Sequence, residues 1–395
     1  MIRRLKHAAD RWLWLRSLPE RAQQQRRLDA KGPPAADPGI DAVVAAAADW
    51  FCAAQDHSST KDDGVARHFS LEKGWGASYP ETTGYIVPTM LVLARELQRP
   101  DLRDRARRML DWFVKIQMEG GGFQGGMVNS VPKKPVTFNT GQILIGLAAG
   151  TAEFGAEPYR RAMHQAADWL VATQDPDGCW RRAPTPFAEP GEKAYETHVS
   201  WGLLEAARVQ PNPAWENAAF ANMRWAMAKQ TPNGWVRDCC LSDPSAPLTH
   251  TLGYYLRGLV EGIRFRHDEQ LLTAAHSLGR ALRGTQRPDG SLPGRLRSDW
   301  SPAVNWVCLT GVVQIAASWL DLYRLTNEPA YLDAARRANA YVRRTVVVDG
   351  PADVRGGVKG SFPVEGDYGC MEYLNWACKF MVDACLLEKR VNASS

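Results

Sequence analysis

No apolar run in this chain reaches the roughly 18 residues that a membrane-spanning helix requires. The N-terminus also lacks an uninterrupted apolar segment followed by a cleavage site, so the chain reads as cytoplasmic. Charge of one sign is missing too. Lys and Arg number 48 against 43 Asp and Glu, a balance too even to argue for nucleic acid. The eight cysteines have no disulfide-like framework and no Cys-x-x-Cys pair. Adjacent Cys239 and Cys240 with His250 therefore fall short of a zinc site. Cys308, Cys370, Cys378 and Cys385 lie in apolar runs expected to be helical, where a reduced, buried thiol is the expected state. Neither a metal nor a cofactor is called for by the pattern.

What the chain does have is a repeat. Gln174-Asp-Pro-Asp-Gly-Cys-Trp180 ends a helical run, and the same punctuation recurs at Gln117, Gln230 and Gln286, at spacings of 57, 56 and 56 residues. Gln55 and Arg344 mark a first and a sixth unit, 62 and 58 residues from their neighbours. A period so regular specifies a repeat architecture. Its 395 residues, 45% of them hydrophobic, suffice for a large core. Fifteen tryptophans suggest that this core is thick.

Residues 1–30 alternate arginines with Leu5, Trp12, Leu13, Trp14, Leu15 and Leu18. They read as a basic amphipathic helix, either packed outside the main domain or touching a membrane surface or a protein partner. Residues 31–39 are a Pro- and Gly-rich linker, which divides the chain into 1–39 and a catalytic domain over 40–395. Beyond it, amphipathic helices alternate with apolar, small-residue-rich ones. The amphipathic set is Ile40–Gln55, Asp101–Gln117, Tyr159–Gln174, Ala214–Gln230, Glu269–Gln286 and Ala330–Arg344. The apolar set begins near Thr82, Thr137, Thr197, Thr249, Val304 and Cys370. Twelve helices in six pairs predict an all-α (α/α)6 toroid with an outer and an inner ring.

Inner-to-outer connections are short, whereas the outer-to-inner loops (56–80, 118–136, 175–195, 231–248, 287–303 and 345–368) are long. All the long loops leave from the rim where the inner helices start, and a site is expected there. The inner-helix starts are unusually polar and aromatic. Candidate catalytic groups are Glu81, Glu196, His198, His250, Tyr254 and Glu372. Candidate substrate-binding groups are Tyr79, Tyr85, Asn139, Tyr195, Arg237, Arg295, Asn305, Trp306, Tyr368 and Tyr373. Thr and Asn at such positions are ordinary helix caps, but the convergence of so many Glu, His and Tyr side chains exceeds what capping needs. Loop cations together with six helix N-termini favour an anionic substrate. Trp180 and Trp235 occupy the fixed position of the repeat and are expected to pack rather than stack on a ligand.

The Gln-x-x-x-Gly-x-Trp element resembles the QW repeat of the squalene cyclase and protein prenyltransferase superfamily, across the helical body from about 41 to 390. That resemblance implies the six-hairpin architecture. The Asp-x-Asp-Asp acid of the cyclases and the zinc set of the prenyltransferases are absent. The residue inventory is closer to carbohydrate-active toroids: glycoside hydrolases, uronate lyases and sugar epimerases. Two carboxylates such as Glu81 with Glu196 or Glu372 would serve hydrolysis. Asn139, His198 or His250, Tyr254 or Tyr195 and a loop Arg would serve proton abstraction next to a sugar carboxylate. The expected activity is on an acidic oligo- or polysaccharide. The alternatives are a terpene-cyclase-like enzyme on an isoprenoid, which would need an aromatic-walled cavity with one buried protonated carboxyl, and a non-catalytic glycan or peptide binder.

Overall fold

The computed structural model describes residues 13–394. The helices here are α1 (Glu20–Asp29), α2 (Ile40–Asp56), α3 (Pro80–Glu96), α4 (Pro100–Ile116), α5 (Thr137–Phe154), α6 (Glu157–Thr173) and α7 (Thr197–Val209). They continue with α8 (Pro213–Met227), α9 (Thr249–Phe265), α10 (Glu269–Gly284), α11 (Leu309–Thr326), α12 (Pro329–Arg343) and α13 (Asn375–Ser394). Helices α3, α5, α7, α9, α11 and α13 pack side by side, and α13 returns against α3 to close a ring. The other members of α2 to α12 pack outside it. This is the expected (α/α)6 toroid. No helix among the described residues is long and apolar enough to cross a membrane.

Glycines set the inner ring's tightness. A Cβ at Gly84 on α3 would lie 2.4 Å from the Ile143 Cα on α5, so only glycine lets these two backbones meet. The short turns on the far rim follow from proline at the first or second helical position of α4, α6, α8 and α12. There its fixed φ suits the helix and its missing N–H costs nothing. The hairpins are therefore inner helix, short turn, outer helix. The sixth pair is made by the two ends of the body, with α13 packed on α2 and Lys389 Nζ 2.7 Å from Asp41.

The repeated glutamine is the fastening between neighbouring units. Gln174 Nε2 donates to the carbonyls of Gly178 (3.0 Å) and Ala218 (2.9 Å), clamping its own loop to the next outer helix. Gln117, Gln230 and Gln286 repeat this geometry on Ala162, Ala274 and Ala334. Gly178 takes φ +92° and comes so near the Ala221 carbonyl that a Cβ would lie 2.6 Å from its oxygen. Trp180 is buried, with its indole N–H donated to the Leu170 carbonyl at 2.9 Å. Trp235 is also buried and meets Trp300 edge-on at 5.4 Å.

Two of the inner helices start later than expected. Helix α11 begins at Leu309 and α13 at Asn375, because short strands precede them. These are β3 (Val307–Cys308), paired with β4 (Ser361–Phe362), and β5 (Glu372–Leu374), paired with β1 (His68–Ser70), which also pairs with β2 (Gly74–Trp75). Strand pairing ties the last long loop to the first and closes the rim. It also places Cys308 and Cys370 ahead of their helices rather than inside them. None of the eight cysteines is joined in a disulfide.

Residues 1–12 of the expected basic helix lie outside the described residues. The rest of it is interrupted at Pro19. Helix α1 then packs on the rim. Buried Asp29 accepts from Lys359 Nζ at 2.5 Å and from the Val364 N–H at 2.8 Å, while Gln25 Oε1 accepts from the Tyr373 hydroxyl at 3.0 Å.

Candidate active site at the loop rim

The inner helices present residues four apart to the ring axis, which puts them in two layers. Glu81, Phe138, His250 and Trp376 form the upper layer, with Tyr85, Gln142, Tyr254 and Phe380 one turn below on the same helices. The lower layer plugs the axis. His198 lies 4.4 Å from the Tyr254 ring, 6.5 Å from Tyr85 and 6.2 Å from Phe380, and Tyr85 lies 5.2 Å from Phe380. Above this floor is a cavity of about 150 Å³. Its lining includes Arg67, Tyr79, Glu81, Tyr195, His250, Tyr254, Tyr368 and Trp376. The loop residues Phe187 and Leu241 lean over it, and Phe187 remains 53% exposed.

Glu81 is the carboxyl of this cavity. It is 8% exposed and accepts a 2.6 Å hydrogen bond from the Tyr79 hydroxyl. Burial pushes it up to about 7, against the smaller downward pulls of that hydrogen bond and of Arg67. It is thus poised to exchange a proton near neutrality. His250, on the opposite side of the ring, has Nδ1 2.7 Å from the Gln314 carbonyl oxygen. Burial lowers it to about 4, so it is a neutral imidazole at pH 7. Tyr254 lies 4.3 Å from it and Tyr368 5.2 Å, centroid to centroid.

Arg67 is a residue that sequence reasoning missed. It belongs to the first long loop, where a single arginine carries no periodic signal. Its guanidinium lies 5.1 Å over the Trp376 ring and donates to Glu372 at 2.8 Å. His68, its neighbour, lies 3.6 Å from the other Glu372 oxygen and is lowered to about 4 by burial, which outweighs the carboxylate beside it.

The candidate residues divide. Tyr79, Glu81, Tyr195, His250, Tyr254 and Tyr368 meet at the cavity. Tyr85 and His198 form its floor; His198 is fully buried, with Nδ1 2.6 Å from Gln142 and Nε2 unpartnered. Glu196 occupies a 3₁₀ turn, Ala194–Glu196, ahead of α7. One of its oxygens is buried without a partner, and burial raises it to about 8, with Lys193 pulling it down in part. Asn139 is fully buried with neither amide atom bonded. Glu372 is held on β5 by Arg67. Arg237 donates to the Ala228 carbonyl, and Arg295 to that of Ala246 at 2.7 Å. Asn305 is exposed and Trp306 half-buried ahead of β3, and Tyr373 points at α1. Part of the expected basic rim is absorbed by ion pairs: Arg181 and Arg182 bind Asp175, and Arg181 also binds Asp177 and Glu192. Among the described residues no group of three or more His, Cys, Asp or Glu is arranged to hold a metal. The Cys239 thiol instead donates to the Thr251 carbonyl at 3.4 Å.

No family model and no curated protein matches the sequence. Solved structures do match the fold. An unsaturated glucuronyl hydrolase specific for heparin superposes with a TM-score of 0.73 at 13% identity, covering 91% of this chain and 99% of its own. The fold is shared with sugar-processing enzymes. A D-mannose isomerase gives 0.71 at 10% identity, covering 90% of this chain and 99% of its own. The cellobiose 2-epimerase of Bacillus thermoamylovorans B4167 gives 0.67 at 11% identity, with 86% and 95% covered. All three are (α/α)6 toroids that act on carbohydrates. The closeness is in the ring, at identities too low to carry over any residue's role.

Proposed function

We propose that this chain is a carbohydrate-active enzyme that works on the terminal ring of an acidic oligosaccharide by acid–base proton transfer. Glu81 is the proton donor and His250 the acceptor. The observation that carries this is a carboxyl held near pKa 7 in the same small cavity as a neutral imidazole. These are the two protonation states that a general acid and a general base need at neutral pH. At about 150 Å³ the space lies below the roughly 300–1,000 Å³ of drug-sized ligand pockets. It suits one sugar ring, with the remainder of the chain leaving past Phe187. Arg67, already bound to Glu372 through one nitrogen, offers its remaining N–H groups to a ring carboxylate, and Trp376 a flat face for the ring.

Within this reading, Glu81 delivers its proton to the sugar while His250 Nε2 takes one from water or from a ring carbon, and solvent resets both groups. Removal from water would give hydrolysis; removal from carbon would give epimerisation or isomerisation. The fold neighbours, named as a glucuronyl hydrolase, an isomerase and an epimerase, support a sugar ring as the reacting group. Oligosaccharides ending in unsaturated or saturated uronates, and reducing disaccharides, would be incubated with the protein in D₂O and H₂¹⁸O and weighed. Gain of one water means hydrolysis; deuterium at carbon without water means epimerisation. Full turnover retained by both Glu81→Gln and His250→Gln would overturn the reading.

One observation favours a second reading. Tyr79, Phe138, Phe187, Tyr195, Tyr254, Tyr368 and Trp376 surround one buried, protonation-prone carboxyl, which is the environment an isoprenoid cyclase requires. The small volume, the Arg67 cation and the unpartnered Tyr195 hydroxyl weigh toward the sugar. Cyclisation of a linear isoprenoid, begun by proton transfer to a terminal alkene and ended by loss of a proton from carbon, would tip the balance to the cyclase.

A further inference from the structure

Two histidines reach the axis of the ring, and each is met by a glutamine from a neighbouring inner helix. His198 on α7 has Nδ1 2.6 Å from Gln142 Oε1 on α5, and His250 on α9 has Nδ1 2.7 Å from Gln314 Oε1 on α11. With the carboxamide oxygen turned to the ring, as in both pairs here, the oxygen can only accept and the imidazole carries its proton on Nδ1. For His250 this leaves Nε2 as the lone-pair nitrogen of a side chain that lines the cavity. Gln314 is 2% exposed and is held in place by close packing. The Gly253 position on α9 lies so near that a Cβ there would be 3.0 Å from the Gln314 Cβ. The other end of the amide, Nε2, is buried with no partner, so the one hydrogen bond of the glutamine side chain among the described residues is to the histidine.

We infer that Gln314 is a positioning residue for the proton-transfer step: it fixes the Nδ1–H tautomer of His250 and so presents Nε2 to the cavity as the base. The inference rests on the proton-transfer reading of the site. Gln142 does the same for His198, but there Nε2 is fully buried and the pair belongs to the floor. The difference between the two pairs separates a base from a structural imidazole.

The surroundings of His250 make the glutamine decisive. From its own helix Tyr254 packs against the ring, and from the loop ahead of α13 Tyr368 does so. Glu81 of α3 and Arg67 of the first loop share the cavity, and His198 of α7 lies beyond Tyr254. Among the described residues, no carboxylate is hydrogen-bonded to His250. A neutral acceptor at Nδ1 selects the tautomer without drawing a second proton onto the ring, whereas a carboxylate there would raise the ring's basicity.

The test is nitrogen-15 NMR of the full-length protein labelled at histidine, with His250 assigned by its loss in His250→Gln. Wild-type His250 should show a protonated Nδ1 and an unprotonated Nε2. Gln314→Met, a near-isosteric change, should let the tautomers mix and lower kcat at least tenfold with KM changed less than twofold. Gln314→Glu should restore the Nδ1–H tautomer and move the acid limb of the pH–rate profile up by at least one unit. A wild-type ring protonated on Nε2, or an unchanged tautomer in folded Gln314→Met, overturns the inference. If the tautomer behaves as stated while His250→Gln keeps full turnover, the positioning by Gln314 stands and the proton-transfer reading of the site is what fails.

Discussion

At the loop rim, Glu81 and Glu196 are buried with no salt bridge to either carboxylate among the described residues. At the opposite mouth of the same ring, Glu261 on α9 is buried as deeply, 1% exposed, beneath arginines. Arg257 contacts it, Arg264 lies at 2.9 Å and Arg208 at 3.9 Å. Asp321 on α11 shares Arg257 at 3.3 Å and takes Arg324 at 3.4 Å. Burial pushes all four carboxyls upward. For Glu261 the arginines more than offset it and hold the group below the ordinary carboxylate range. For Glu81 and Glu196 little opposes it, and they rise to about 7 and 8. Asp321 stays raised, since burial and the Glu261 charge outweigh its arginines. Position in the helices explains the contrast. The inner helices end at the far mouth, where their dipoles favour arginine. They begin at the loop rim, where the same dipoles tolerate a carboxyl without any cation. A buried glutamate is therefore structural where it is paired, and available for chemistry where it is not.

The sharpest way to break this comparison is to make the same substitution at both mouths. Glu81→Gln should lower kcat on the identified substrate by about 10²–10⁴-fold, the usual worth of a general acid, with thermal stability held. Glu261→Gln should do the reverse. It leaves Arg257, 17% exposed, without this carboxylate, while Arg264 and Arg208 turn to solvent, at about 1–3 kcal/mol for a lost charged hydrogen-bonding partner, read as a shifted denaturation midpoint with kcat per folded molecule unchanged. If Glu261→Gln stopped turnover in fully folded protein, or Glu81→Gln unfolded it, the assignment of the two mouths would be wrong.

The next effect in size tests whether an unpaired carboxyl at the rim is a stability cost. Glu196 rises from 4.5 to about 8 on folding, so the folded state binds its proton more tightly than the unfolded chain. Below pH 4.5 the group is neutral in both states and contributes nothing. Between 4.5 and about 8 stability falls as pH rises, at up to about 1.4 kcal/mol per unit. Glu196→Gln removes the charge at every pH and should be several kcal/mol more stable than the parent at pH 9, yet equal to it at pH 4. Parallel stability curves across that window would show that Glu196 is solvated or paired in solution.

The ring itself was legible in the sequence because its determinants are periodic. The glutamine clamp, the glycine four residues on, and the long and short loops each recur, and each recurrence corrects noise in the others. The site was most legible where it borrowed that period. Glu81, His250 and Tyr254 stand on the axis-facing positions of inner helices, and the structure brings them to one cavity. Glu372, Asn305, Trp306 and Tyr373 were expected at helix starts but fall on or ahead of the short strands β3 and β5. Two- and three-residue pairings between distant loops leave no pattern in either segment. Arg67 was missed for the same reason, since it reaches the cavity from an irregular loop and is recognised only by what surrounds it. The cations of the rim misled in another way. Composition counts Arg181, Arg182 and Lys359 as charge, but it cannot see the Asp175, Asp177, Glu192 and Asp29 side chains that neutralise them.

The smallest expected effect concerns the wall between the two mouths, where the repeat that organises the chain does its work. Gln174 spends both hydrogens of its amide on backbone carbonyls, one in its own loop and one on α8. Removing the amide leaves Gly178 O and Ala218 O each one donor short. Gly178 O keeps the Asn222 amide at 3.0 Å, and Ala218 O belongs to the helical ladder of α8, so neither is orphaned. Gln174 is also half-buried, and water can reach part of the gap. Gln174→Ala should therefore cost about 1–2 kcal/mol, the low part of the range for a lost hydrogen-bonding partner, seen as a lowered denaturation midpoint. Because the clamp holds units together and touches no cavity residue, kcat of the folded variant should match the parent. Pairing it with Gln286→Ala, whose clamp joins α10 to α12 and shares no helix with that of Gln174, should give the sum of the two costs, as expected for units that contact only their neighbours. A loss well beyond the sum would mean that the ring opens as a whole once two of its fastenings are gone.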